Sequence, residues 1–250
     1  MNEILIHQAI EFAAEKHKEQ KRKSSKTPYI AHLMEVYGIL VANGCDTNTI
    51  IAGILHDVIE DAKISPEEIY ERFGNEVAEL VTGLSEDKTK TWKERKQTTI
   101  EHLKTAPLAI KQICCAEMLS NLLYINLEKE KRGDIFGYRF KDTLDEMYQY
   151  YREIIDIKKT LELDLKDFPP YELLDKQFWQ FINKTLSVRE RAHIMAENMN
   201  RLDEEAKDRK GRFWISQRPE DVYNTEPLKN ILQAANYDKF KKATEKSEWE

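Results

Sequence analysis

The chain has 250 residues, with 39 Lys and Arg against 45 Asp and Glu, a net charge of −6 and 41% hydrophobic residues, which is enough for one large domain or an ordinary domain with an appendage. The acidic balance argues against nucleic-acid binding, which needs a basic surface, yet a local basic patch can still hold an anionic small ligand. Cys45, Cys114 and Cys115 form neither a disulfide framework nor a zinc knuckle, and neither a leader nor an apolar run of roughly 20 residues is read, so a reduced cytoplasmic protein outside the membrane is expected.

Apolar positions recur at helical spacing and no period-2 strand is found, so the predicted fold class is all-α. The first helix is expected over Ile4 to Lys18, with Ile4, Leu5, Ala9, Phe12 and Ala13 on one face. The second runs from Tyr29 to Val41, and the third from Asn48 to Asp61 after the turn Asn43-Gly44-Cys45-Asp46. Ser65-Pro66-Glu67-Glu68 reads as an N-cap, a first-turn Pro and a capping-box Glu; that helix ends at Phe73 before Gly74. Further helices are expected at Asn75 to Ser85, Trp92 to Thr105, Pro107 to Lys129 and Phe136 to Leu163. Leu165-Lys166-Asp167-Phe168-Pro169-Pro170 then breaks the pattern, separating a domain at 1–165 from a helical extension at 166–250. In the extension, Val188, Ala192, Met195, Ala196, Met199 and Leu202 form an apolar stripe, while His193 lies off it. Packing against the main domain is the plainest role for the extension; covering the site, oligomerisation and partner binding are the others.

The third predicted helix carries the chemistry. His56, Asp57, Glu60 and Asp61 fall within an arc of about 140°, opposite Ile51, Ile54, Leu55, Val58 and Ile59. No Lys or Arg occurs from Asn48 through Ala62, as a solvated face would require. Half-buried carboxylates cost several kcal/mol unless they are paired or hold a metal. One helix cannot close such a site, and His32 and Glu117 are the residues elsewhere that can complete it. Their His and carboxylate donors suit Mn²⁺, Fe²⁺ or Zn²⁺, with more oxygen ligands shifting the balance toward Mn or Fe. The basic run from His17 to Lys26 leads into His32 and would supply counter-charge to a phosphate-rich substrate; Arg can grip phosphate or lie on a purine.

The ordered set His17-x-x-Gln20-x-Arg22-Lys23, Pro28-Tyr29-Ile30-x-His32, Ile54-Leu55-His56-Asp57-Val58-Ile59-Glu60-Asp61, Phe73-Gly74-x-x-Val77-Ala78-x-Leu80-Val81 and Glu117-x-x-x-Asn121 resembles the HD-domain hydrolases of the RelA/SpoT alarmone enzymes and their stand-alone small relatives. The likeness covers about Met1 to Leu163 and includes Gly133-Asp134, Arg139-Phe140 and Tyr150-Tyr151-Arg152. It implies an HD-type helical bundle, one Mn²⁺, and removal of the 3′-pyrophosphate from ppGpp or pppGpp, a guanosine polyphosphate small-molecule substrate. By the resemblance His32, His56, Asp57 and Glu117 are metal ligands, and Glu60 and Asp61 position and deprotonate the attacking water. Arg22 and Lys23 lie at the guanine and phosphate side, and Asn121 lies near the ribose and the metal. The chain departs from the pattern at Glu117, where the family has Asp; the added methylene moves the carboxylate by about 1.3 Å, against a first-shell tolerance of roughly ±0.2 Å. Ser120 also replaces a His of the long enzymes. Two other readings follow: a nucleotide-binding regulator with a weakened metal site, and a hydrolase of another phosphorylated nucleotide. The stretch Gly211 to Pro219 resembles nothing we can name.

Overall fold

A computed structural model of the protein describes residues 2–22, 25–132, 156–161 and 164–185. Among them the fold is all-α, with one isolated bridge between Lys21 and Pro28 as its only extended pairing. The helices are α1 (Glu3–Lys16), α2 (Ile30–Ala42), α3 (Thr47–Leu55), α4 (Val58–Ala62), α5 (Pro66–Phe73), α6 (Asn75–Leu84), α7 (Trp92–Thr105), α8 (Leu108–Arg132) and α9 (Pro169–Thr185). Residues 156–161 are also helical.

The bundle is built around α3. Asp46 caps it by accepting from the Asn48 and Thr49 amides, and Ile50, Ile51, Ala52, Ile54 and Leu55 are then fully buried. A helix apolar all round needs neighbours on every side. Here α1, α2, α6 and α8 supply them. Gly53 lets α2 come close, since a Cβ at that position would stand 2.3 Å from Leu40 Cδ1. Ser65 caps α5 with Pro66 in the first turn, as expected, but Glu68 turns away to Arg72 instead of closing the box. The reciprocal capping box forms at α7, between Thr91 and Glu94.

The structure differs from the sequence reading in three further places. The segment Asn48 to Asp61 is two helices, because α3 ends at Leu55 and α4 starts at Val58. Within α8, Leu108–Glu128 has the length and mean hydropathy (1.3) of a membrane span, although no such run was expected. It is mostly buried against α2, α3 and α6, which identifies it as a core helix. Finally, Pro169 and Pro170 open α9 instead of only breaking the helical pattern, since Pro fits a helix's first turn. One compact unit runs from Met1 to Phe181. Leu174, Phe178 and Phe181 are buried, and Lys158 pairs with Asp175. The stripe from Val188 to Leu202, His193, the stretch Gly211 to Pro219 and most of the helix expected at Phe136 to Leu163 lie outside the described residues.

Candidate functional site

The break in the central segment builds the site. In an unbroken helix, neighbouring side chains point about 100° apart. Asp57, with φ −99° and ψ −3°, interrupts the helix, and its Oδ2 comes to 2.9 Å from His56 Nε2. The first turn of α2 delivers His32, whose ring centre is 5.2 Å from that of His56. One ligand atom from each of His32, His56 and Asp57 then lies within 4.8 Å of the others. Three sequence-predicted ligands thus meet, two of them buried and the third half-buried.

The hydrogen bonds fix how these rings can act. His56 Nδ1 lies 2.8 Å from the Gly53 carbonyl, which can only accept, so Nδ1 carries hydrogen and Nε2 faces Asp57. Ser120 donates to Glu35 Oε2 at 2.5 Å. Its oxygen is therefore left to accept from His32 Nδ1 at 2.8 Å, which frees His32 Nε2 as a lone pair. Metal-binding imidazoles use this arrangement, with the far nitrogen held by protein. Burial, reinforced by His56, pushes the His32 imidazole down to about 3, so it is neutral at pH 7. Burial opposes the charged forms of His56 and Asp57 as well, but each is the other's counter-ion: His56 is raised and Asp57 lowered. Tyr29 donates to Asp57 Oδ2 at 2.5 Å, and its phenol is held far above its ordinary pKa by burial and by Asp57. The donor set of two neutral-capable imidazoles and a carboxylate fits a divalent ion of the Mn, Fe or Zn type.

Glu117 reaches this neighbourhood from α8 but stands outside the three-residue cluster. Burial raises its pKa; the His56 charge lowers it and the Asp57 charge raises it further, so it interacts with the cluster electrostatically. Asn121, one turn on, donates to Glu117 Oε1 at 3.4 Å.

The acidic pair lies at the rim. Glu60 and Asp61 keep 15% and 23% of their side-chain surfaces exposed, enough to meet a ligand from solvent. Their counter-charge comes from the loop after α6, where Lys88 pairs with Glu60 and lies 3.4 Å from Asp61. The Glu86 amide also donates to Glu60 Oε2 at 3.2 Å. That loop is tied down by α7, whose Arg95 and Lys96 reach the Glu86 carboxylate at 3.2 and 2.8 Å.

Arg22, in the basic run, is buried and is held by protein groups. It donates to Glu35 at 3.0 Å and to Asn121 Oδ1 at 3.2 Å, and its guanidinium lies 3.9 Å from the Tyr124 ring centre. A fork held on several sides costs stability when it is removed. We expect Arg22→Met to lower unfolding free energy by about 1–3 kcal/mol in a urea titration, because Ser120 and Asn121 lose a buried donor while Glu35 can still turn to water. Lys23 lies outside the described residues.

Sequence reasoning missed Tyr29, Glu35, Ser120, Glu86 and Lys88 as supports of the site. Tyr29 and Ser120 lay inside the quoted motifs and beside predicted ligands, which was the available signal. Glu35 was legible only as one helical turn from His32, on the same face of α2.

Residues 9–136 match the HD domain family. The chain is 42% identical over 121 residues to guanosine-3′,5′-bis(diphosphate) 3′-pyrophosphohydrolase MESH1 of Xenopus tropicalis, covering 47% of this chain and 68% of that one. Its Drosophila melanogaster counterpart is 36% identical over 118 residues, covering 46% and 66%. The chain thus spans about two thirds of the length of these relatives. A solved structure described as a metazoan orthologue of SpoT that hydrolyses ppGpp superimposes with a TM-score of 0.60 at 28% identity, covering 70% of this chain and 94% of that one.

Proposed function

The chain belongs to the HD-domain family, and from that premise we propose that it is a Mn²⁺-dependent hydrolase of guanosine alarmones, converting ppGpp to GDP, or pppGpp to GTP, plus pyrophosphate. The observation that carries the reading is the convergence of His32, His56 and Asp57 within 4.8 Å, with both imidazoles oriented by Gly53 and Ser120. These three residues would hold the ion, with Glu117 as a fourth, longer-reaching carboxylate. When bound, the ion lowers the pKa of coordinated water and offsets charge on phosphoryl oxygens.

The chain's own residues do the rest. Glu60, at the rim beside the cluster, takes the proton from the attacking water, and Asp61 orients that water. The water oxygen bonds to the phosphorus carried on the 3′-oxygen, the O3′–P bond breaks, and the 3′-oxygen leaves with a proton. Lys88, whose partners among the described residues are Glu60 and Asp61, offers its charge to the departing pyrophosphate. Arg22 and Lys23 contribute on the guanine and phosphate side, and Asn121 beside the ribose.

Purified protein given ppGpp and Mn²⁺ is expected to release GDP and pyrophosphate. Metal-loaded protein that leaves ppGpp intact would contradict the proposal. The position of Glu117 outside the ligand cluster favours one other reading, a nucleotide-binding module with weak metal affinity. That reading requires Glu117→Asp to tighten Mn²⁺ binding several-fold. A panel of nucleoside di- and triphosphates distinguishes an alarmone hydrolase from a hydrolase of other nucleotides.

A further inference from the structure

We propose that His17 and Gln20 form a positioning relay that aims Asp61, a role that rests on the proposed water-activating part of Asp61. His17 follows α1 and is only 2% exposed, with its ring against Tyr29 at 5.3 Å between centres. Its Nδ1 lies 2.6 Å from Gln20 Oε1, and Gln20 Nε2 lies 2.7 Å from Asp61 Oδ2.

The direction of both bonds follows from the acceptor at the end. An ionised carboxylate only accepts, so Gln20 must offer Asp61 its NH₂. The amide oxygen then faces His17, and His17 must present N–H at Nδ1. An imidazole with a bare Nδ1 would leave two acceptors in contact and turn the amide over, replacing the donor at Asp61 with an acceptor.

The backbone keeps the relay in register. The Tyr29 amide donates to the Gln20 carbonyl, and the Arg22 amide to the Thr27 carbonyl, both at 2.9 Å. The loop between α1 and α2 is thereby closed on itself, and Gln20 is fixed beside the segment that carries Tyr29 and His32.

Packing alone does not explain an imidazole at this position. His17 Nε2 is buried with no hydrogen-bond partner among the described residues, a cost that an apolar ring of similar size would not carry. The polar engagement the imidazole adds is its bond to Gln20. With Lys88 on Oδ1 and Gln20 on Oδ2, Asp61 is held at both oxygens. Gln20 is a neutral donor that a substrate phosphate does not compete away. The relay therefore keeps Asp61 oriented once Lys88 turns to the substrate.

Two measurements test this. The first reads the His17 ring in ¹⁵N-labelled full-length protein by long-range proton–nitrogen correlation, and needs no substrate. A proton on Nδ1 is expected; a bare Nδ1 overturns the relay whatever the protein hydrolyses. The second is ppGpp kinetics. Gln20→Ala and His17→Ala are each expected to lower kcat by about 10–100-fold with little change in KM, as loss of an outer support does. His17→Asn, which can place an amide N–H near the former Nδ1, should recover most of the loss. The double variant should be no worse than Gln20→Ala alone. Losses that multiply in the double variant would mean that His17 acts through packing, and would overturn the relay. Failure of the parent protein to cleave ppGpp would count against the proposed function instead, leaving the ring measurement to decide the relay.

Discussion

Asp57→Ala and His56→Ala will each reduce ppGpp turnover by on the order of 10³-fold or more, together with loss of the bound ion. A catalytic metal contributes several kcal/mol to transition-state stabilisation, and each 1.36 kcal/mol is a factor of ten in rate. Neither residue has a substitute in the cluster. Among the described residues Asp57 is the carboxylate within 4.8 Å of both imidazoles, and His56 Nε2 is the ring nitrogen that faces it. Asp57→Ala also takes the Asp57 acceptor from Tyr29, and His56→Ala takes the ring donor from the Gly53 carbonyl. Some destabilisation, about 1–3 kcal/mol, is expected for each. Circular dichroism and an unfolding midpoint must therefore accompany the kinetics. A folded, metal-free and inactive protein is the expected outcome. Turnover within tenfold of the parent would remove these residues from the mechanism.

Glu60→Gln will separate proton transfer from metal binding. The amide keeps the size of the side chain and can still accept from the Glu86 amide, but it cannot take a proton from water. General-base contributions are typically 10²–10⁴-fold, so kcat should fall by about that factor with metal content unchanged. Lys88 loses one of its two anionic partners in this variant and keeps Asp61. The KM for ppGpp should hold steady or fall slightly, since less charge competes for the Lys88 ammonium. A variant that loses its metal along with its activity would make Glu60 a ligand rather than a base.

The extent to which sequence sufficed is best seen by comparing residues. His56 and Asp57 were legible because adjacent metal-type donors closed an apolar run that had no cation among them. His32 and Glu117 were legible only as companions to that pair. What was not legible is the break between α3 and α4: no Gly or Pro marks it, and the apolar pattern continues through Val58. Its origin is tertiary, since the turn brings Asp57 onto His56 and under Tyr29. Lys88 was hidden for a similar reason. It lies 28 positions after Glu60 in a short polar loop that reads as ordinary surface, and it reaches the acids only because α7 anchors Glu86. Arg22 was read as a substrate-side residue, and sequence spacing gave no sign that it bridges α2 and α8 through Glu35, Ser120 and Asn121.

Metal stoichiometry tests the central claim most directly: protein purified without added metal, analysed for elements, then titrated with Mn²⁺. The arrangement of His32, His56 and Asp57 predicts one divalent ion per chain in the parent, and none retained in His32→Ala or Asp57→Ala. A parent that binds no ion, or variants that bind it as tightly as the parent, would contradict the account.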